Sequence, residues 1–508
     1  MSYKRRDILQ ALAATGALTL VTGCGSDSSP NFSPAGGNFN GSPSGGLSPF
    51  PQPELRQLPG GRASTDLITT FATNQVANRS VTTRTYEGKL VGPTLRVSPG
   101  TTLQVNLQNR FPATNEFPKT ANPNTPHEFN TTNLHTHGLH VSPTGNSDNI
   151  FLEIPPQSQF SYSFAIPANH PGGTFFYHPH KHGSAAMQMF SGMAGALILE
   201  SELDRVPEVA AARDLVYLVS ELNVNSSGQV PNFTGDVFPL SNRILMVNGT
   251  SRPTLSVQSG EVVRLRLLNA TVRTHLGLQL EGHTFGVLAL DGITLPALRN
   301  ESEVSLAVAN RADVLIRAQA PGRYALKKMQ DDEGGMNDPE EIIGYLEVLP
   351  GTLQMALPSA LPAPSSLPTI SDAEITRRRN LTFERFTGPN PPLPGVDVFT
   401  IDQKLHDPNR VDQTITLNSV EEWTITNFSD QMHPFHIHTN PFQLVARDGM
   451  ALAQPEWHDV SDIPPLMNGM PGSITIRIRF RDFTGRTVLH CHNVMHEDLG
   501  MMQTIEIV

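Results

Sequence analysis

Pro93-Thr94-Leu95-Arg96-Val97-Ser98-Pro99-Gly100, followed by Leu107-Gln108-Asn109, returns 160 residues later as Pro253-Thr254-Leu255-Ser256-Val257-Gln258-Ser259-Gly260, followed by Leu267-Leu268-Asn269 at the same spacing. Both copies alternate apolar and polar residues with the period of a half-buried strand and end on a turn-forming glycine. A weaker echo, Leu417-Asn418-Ser419-Val420-Glu421-Glu422-Trp423-Thr424-Ile425-Thr426-Asn427, opens the last third. One strand-turn-strand unit used three times predicts three related β-sandwich domains, each of a size that one core can fill. Composition agrees: 40 Gly, 42 Pro and 6% aromatics accompany short Val/Leu/Thr-rich runs between turn signals, which reads as all-β.

The repeat sets the organisation. Residues 1–24 read as an export signal: Lys4-Arg5-Arg6-Asp7-Ile8-Leu9-Gln10, an apolar run from Ala11 to Val21 too short to span a bilayer, and Val21-Thr22-Gly23-Cys24. The Arg pair resembles a twin-arginine signal, with Ile8 and Gln10 departing from its usual Phe and Lys, and the end resembles a bacterial lipobox. Cleavage before Cys24 would leave a lipidated N-terminus at the periplasm or cell surface; plain secretion is the alternative. Residues 25–53, rich in Ser, Pro, Gly and Asn and nearly uncharged, are expected as a flexible tether. The domains then run 54–200, 201–350 and 372–508, with a Pro/Ser/Leu-rich linker over 351–371. A formal charge of -11 argues against nucleic acid as partner. With only Cys24 and Cys491 in the chain, stability rests on burial instead of disulfides.

The chemistry concentrates at the C-terminus, in His490-Cys491-His492-Asn493-Val494-Met495-His496-Glu497-Asp498-Leu499-Gly500-Met501-Met502. A thiolate, two imidazoles and a weak axial thioether hold copper for one-electron transfer, and His496 can supply only one of the imidazoles. In an extended chain, His490 and His492 project from one face and Cys491 from the other, so the Cys491 backbone would bridge two metal centres. Three more segments carry paired histidines: Asn133-Leu134-His135-Thr136-His137-Gly138, Phe176-Tyr177-His178-Pro179-His180-Lys181-His182-Gly183 and His433-Pro434-Phe435-His436-Ile437-His438. With 18 His in 508 residues, chance yields about 0.6 His-x-His pairs. The chain has five.

These four segments, in this order, resemble the four copper motifs of the multicopper oxidases, the laccase-like family of three cupredoxin domains, and the resemblance covers the whole body after the tether. It implies three cupredoxin-like Greek-key sandwiches and four coppers per chain: a type 1 copper that takes electrons from substrate and a trinuclear cluster between the first and third domains that reduces dioxygen to water. Matched position by position, the type 1 ligands are His433, Cys491 and His496 with Met501 axial. The type 2 copper falls to His135 and His436. The type 3 coppers fall to His137, His178 and His492, and to His180, His438 and His490. The middle domain's only histidines, His275 and His283, form no pair, so it is expected to be copper-free. His140 and His182 read as neighbours of the ligands or as surface groups, and His458 as a loop residue near the type 1 site or on the surface.

Reduction of dioxygen to water consumes protons, and the resemblance points to Asp148 and Glu497 as the carboxylates that deliver them. Asp148 also sits among turn residues, and Glu497 fits an exposed helical turn. The expected activity is laccase-like oxidation of phenols or aromatic amines, with oxidation of Cu(I), Mn(II) or Fe(II) as the alternative. No dense Met-rich insertion is present, and the acidic run Asp331-Asp332-Glu333 with Asp338, Glu340 and Glu341 fits a solvated face. A blue-copper electron carrier would need only the type 1 ligands, and a copper-free relative would lack motif histidines. The expected partners are dioxygen and a small reductant, acting on a monomer.

Overall fold

The computed structural model describes residues 48–114, 117–230, 242–331, 338–362, 367–392 and 395–508. The expected signal with Cys24, tether residues 25–47, acidic-run residues 332–337 and linker residues 363–366 lie outside them. The regular elements of the described chain are almost all strands, which form three successive sandwiches. In the first, a sheet ordered Leu55–Gln57, Thr94–Val97, Gly195–Leu199, Gly173–His178, His135–His137 faces Arg79–Tyr86, Arg62–Val76, Thr102–Asn109, Ser158–Ala165. The second and third each pair a six-stranded with a five-stranded sheet in the same order, so the cupredoxin-like plan is used three times.

The sequence repeat marks the same structural device in each copy. Thr94–Val97 and Thr254–Gln258 pair in parallel with the last strand of their own sandwich, as Gln413–Ile415 does in the third. The following turn needs a left-handed residue: Gly100 and Gly260 sit at φ +83 and +78. In the third copy Asn418, at φ +65, occupies that place, and Asn tolerates this region better than other side-chain-bearing residues. The echo is therefore weaker in sequence than in backbone. Nine residues on, a buried Asn ends the strand and ties the crossing loop. The Asn269 amide donates to the carbonyls of Thr274 (2.9 Å) and Leu306 (3.0 Å) and accepts from the Thr271 N–H and hydroxyl. Asn109 binds the carbonyls of Asn130 and Ile154, and Asn427 those of Gln431 and Pro464, in the same manner.

Thr102–Asn109 and Val420–Asn427 alternate buried and half-buried residues, each burying one face in its own core. Val262–Asn269 is buried on both faces. Its outer side carries Arg264 and Arg266, whose guanidinium groups bind Asp204, Asp214 and Asp313 and, through Thr174, reach the first sandwich. A buried charge is tolerated only when paired, and here the pairing joins two sandwiches.

The chain around the sandwiches departs from expectation at one end. Residues 48–53, expected as the last part of the tether, are docked on the middle sandwich. Thr254 N–H donates to the Ser48 carbonyl (2.8 Å), Phe50 N–H donates to the Thr254 carbonyl (3.0 Å), and the Phe50 ring stacks on Tyr217 at 5.5 Å. The linker segment is packed as well: Met355 N–H bonds the Gly260 carbonyl, and Ile370 N–H bonds the Gln443 side chain.

Asn269→Ala removes four buried hydrogen bonds, two of them to the carbonyls of Thr274 and Leu306, so it should cost about 1–3 kcal/mol. Its thermal unfolding midpoint should fall below that of Asn300→Ala, a control on an exposed strand position.

Candidate metal centre

The strand Gly485–Cys491 ends at the thiol, and the chain turns directly into the helix Val494–Asp498, capped by the Asn493 side chain, which accepts from Met495 N–H at 3.2 Å. This short turn brings His496 back to Cys491. His433, opening the strand His433–Ile437, comes from the other side. The Cys491 Sγ lies 3.4 Å from His433 Nδ1 and 3.7 Å from His496 Nδ1. The Ser429 hydroxyl meets His433 Nε2 at 2.8 Å, leaving Nδ1 free to face the sulfur. Phe399 packs on both rings, at 4.8 Å and 4.5 Å. Met501 is buried in the same apolar cluster as Cys491, whereas Met502, on the opposite face of the strand, packs with Ile150 and Val488. Burial pushes the Cys491 thiol pKa well up, so only a cation in contact with it would hold it as thiolate.

On the other face of the Cys491 strand, eight imidazoles from the four motifs converge between the first and third sandwiches. His135 and His137 share one short strand, paired antiparallel with the strand ending at His178, and His436 pairs with His490. The Nε2 atoms of His180 and His438 lie 3.1 Å and 3.2 Å from Nε2 of His490. His137, His178 and His492 form a second trio, and His135 and His436 complete the set. Burial lowers the pKa of every one of these rings, and neighbouring imidazoles lower most of them further, keeping them in the neutral form that binds metals.

Unpartnered nitrogens carry the test of fit. His135 Nε2, His137 Nδ1, His178 Nε2, His180 Nδ1, His436 Nε2, His438 Nδ1 and both nitrogens of His492 are buried without a hydrogen-bond partner. Each such orphan costs about 1–3 kcal/mol unless something binds it. Neutral ring nitrogens crowded together at van der Waals distance suit a borderline-soft cation such as copper, and the residues present fit such a group.

On two of the rings the other nitrogen is held. His178 donates from Nδ1 to the Pro179 carbonyl at 3.0 Å, and His135 from Nδ1 to the Asp148 carboxylate at 2.9 Å. Asp148 is buried, binds the Thr136 N–H as well, and has its pKa lifted by burial to about 7. It is therefore no surface turn residue. Glu497 is also wholly buried, although its sequence fits an exposed helical turn. Its two oxygens lie 3.2 Å from His180 Nδ1 and His490 Nδ1, out of line for hydrogen bonds, and burial raises its pKa to about 7.

Three residues that the sequence did not single out complete the surroundings. Asp498 accepts from the N–H groups of Gly183 and Ala186, clamping the second motif's loop to the helix that carries His496 and Glu497. Asp459 meets His137 Nε2 at 3.2 Å with its side chain and accepts from His436 Nδ1 at 2.7 Å with its carbonyl. Arg311, from the middle sandwich, binds both oxygens of Asp459 at 2.6 Å and 2.5 Å. No local pattern announces these residues, because each makes a contact that exists only where sandwiches meet.

The other histidines have structural partners. His140 bonds the Thr439 carbonyl and Asp482, and His275 lies 3.4 Å from Asp462. His182 lines a cleft of about 550 Å³ between the first and third sandwiches, together with His127, His406, Lys181 and Phe151. His458 lies between Asp291 of the middle sandwich (2.8 Å) and Glu456 (3.5 Å).

Models of the multicopper oxidase family match residues 124–204, 219–346 and 366–508. A multicopper oxidase of Staphylococcus haemolyticus is 28% identical over 451 residues, covering 86% of each chain. A laccase of Bacillus subtilis is 24% identical over 478 residues, covering 83% of this chain and 89% of its own. Among solved structures, a multicopper oxidase of Campylobacter jejuni described as a metallo-oxidase superposes with a TM-score of 0.71 at 22% identity, over 91% of this chain and 98% of that one.

The His458 bridge generates a pH prediction. Burial opposes the charged ring, but its hydrogen bonds to Asp291 and Glu456 outweigh it and lift the pKa to about 9. A raised pKa stabilises the fold fully below the unfolded value of about 6.5, and the contribution disappears as pH climbs through 9. Between those limits wild type should lose thermal stability relative to His458→Gln, by on the order of 3 kcal/mol in total; parallel melting curves across pH would refute the bridge.

Proposed function

Because the chain belongs to the multicopper oxidase family, and so is a copper oxidoreductase that uses oxygen, we propose that it couples laccase-like one-electron oxidation of phenols or aromatic amines to four-electron reduction of dioxygen to water. In this reading His433, Cys491, His496 and Met501 hold a type 1 copper and His135 and His436 a type 2 copper. His137, His178 and His492 hold one type 3 copper, and His180, His438 and His490 the other. Bound copper would supply the one-electron redox steps at both places. The observation that carries the reading is the Cys491 strand: its sulfur contacts His433 and His496 while its flanking residues, His490 and His492, stand among the other imidazoles. One covalent backbone thus joins the two sites. Eight imidazoles beyond the type 1 set are superfluous for a simple electron carrier.

His496 is the least buried of these ligands, at 8% exposure, with Asn493 and Met495 beside it equally exposed. A substrate would give up its electron there. The small depression next to Asn493 carries Met432, Asp331, Asp338 and Asp462, the feature that favours the second reading, oxidation of Cu(I), Mn(II) or Fe(II). Two of those acids are already paired: Asp338 with Arg243 and Lys328, and Asp462 with His275. Arg273 lines the same wall. This balance supports an aromatic reductant over a cation. Asp148 and Glu497, which burial lifts to pKa values of about 7, are placed to take up and release protons beside the imidazoles near neutral pH. Export with a lipid on Cys24 would place the reaction at a cell surface. Among the described residues no helix is long and apolar enough to cross a membrane.

Copper-loaded protein should be blue with four coppers per chain, and Cys491→Ser should lose colour and turnover together. Steady-state rates on a phenol, Cu(I) and Mn(II), measured side by side with oxygen uptake, should favour the phenol. A blue protein with one copper and no oxygen uptake would overturn the reading.

Asp148→Asn and Glu497→Gln should keep the blue colour and the reduction of the type 1 site but slow reoxidation by dioxygen, on the order of 100-fold. The defect should deepen as pH rises and other donors are lost. Stopped-flow reoxidation across pH checks this; wild-type rates would remove both carboxylates from the proton path.

A further inference from the structure

We propose that Asp459, braced by Arg311 of the middle sandwich, is a positioning residue that selects the metal-facing nitrogen of both His137 and His436. The inference rests on the reading that these imidazoles hold copper. Asp459 sits on the short link between the strands Met450–His458 and Val460–Ile463, with both its side chain and its backbone turned to the cluster. Its carboxylate accepts from His137 Nε2–H, which leaves Nδ1 facing inward, and its carbonyl accepts from His436 Nδ1–H, which leaves Nε2 facing inward. Those two inward nitrogens are among the buried orphans. A single residue therefore fixes opposite nitrogens in two different motifs.

Arg311 makes Asp459 rigid. Its two terminal nitrogens hold the carboxylate in a fork, its Nε donates to the Thr174 carbonyl of the first sandwich at 3.2 Å, and Nη1 donates to the Ala309 carbonyl at 2.9 Å. Asp291 adds to the hold: its carboxylate accepts from the Arg311 backbone N–H at 2.9 Å and lies 3.5 Å from Nη1 of the guanidinium. Gly138, the glycine of His-Thr-His-Gly, lies against the pair at φ +85; a Cβ there would stand 2.6 Å from Arg311 Nη2 and 2.9 Å from Phe175. The pair thus occupies the space that this glycine leaves. Partners that orient a metal-binding imidazole commonly set metal affinity by 10- to 100-fold. A sandwich that contributes no ligand would in this way set the geometry of the cluster.

The test uses the copper-loaded full chain and three variants: Asp459→Asn, Arg311→Lys and, as control, Arg299→Ala. The control removes another ion pair between the middle and third sandwiches, Arg299 with Glu456 at 2.6 Å, which touches none of the eight clustered imidazoles and leaves Glu456 its contact with His458. Copper release to excess chelator and the electron paramagnetic resonance signal of the type 2 copper are the readouts. Asp459→Asn should release the non-blue coppers roughly 10- to 100-fold faster and alter that signal, while the blue band persists. Arg311→Lys keeps the charge without the fork and should fall between it and wild type. Arg299→Ala should behave as wild type. Unchanged release and signal in Asp459→Asn, or equal acceleration in Arg299→Ala, would overturn the inference. If Asp459→Asn does not fold, wild-type release in Arg311→Lys overturns it instead. A wild-type chain holding one copper would sink the functional reading, and this inference with it; four coppers with unchanged release sink the inference alone.

Discussion

The two-residue alternation of an extended chain is the constraint on which this molecule depends. Three consecutive residues, His490, Cys491 and His492, put sulfur on one side of a strand and imidazoles on the other. The sulfur side is the interior of the third sandwich, where Phe399, Phe435 and Met501 exclude water. The imidazole side is the outside of that sandwich, and an outside is wet unless another body covers it. The first sandwich does so with a strand of the same kind, bearing His135 and His137. The interface is thus a requirement of the alternation, because eight neutral imidazoles can be held dry together only where two sheets meet.

The middle sandwich answers a different need. Its strand Leu276–Leu280 takes the place in the sheet that His135–His137 and His433–Ile437 take in theirs, and it presents Leu276, Leu278 and Leu280 to its own core. With no ligand to supply, this domain spends its polar residues on its neighbours. Arg264 and Arg266 reach toward the first sandwich, and Arg311 and Asp291 toward the third. Buried ion pairs contribute little net stability compared with apolar packing, but they impose register. Register is what two sandwiches sharing a metal cluster must keep.

How much of this was legible in the sequence follows from the range of each interaction. The strand repeat and the paired histidines are local patterns, so fold class and the gathering of the motifs could be read from short stretches. Asn418 shows why the third repeat looked faint: the backbone requirement survived while the residue that meets it changed. Asp148 and Glu497 stood open between exposed and buried readings because burial is decided by distant chain. Asp459, Asp498 and Arg311 carried no signal at all, since each acts across a domain boundary. The composition of residues 48–53 pointed to a tether, yet Phe50 on Tyr217, two backbone hydrogen bonds to Thr254, the Gln52 side chain on the Val216 backbone and the Asn248 amide on the Pro51 carbonyl dock them.

That docking bears on solubility. Thr254–Gln258 is the outermost strand of the five-stranded sheet in the middle sandwich, and a bare outer strand offers its amides to any extended chain that drifts past. Ser48, Pro49 and Phe50 lie along its start in parallel and take up the Thr254 N–H and carbonyl. The protein thus covers the start of that edge with the stretch of chain that leads into the first sandwich, and withholds the Thr254 amide and carbonyl from any neighbouring chain.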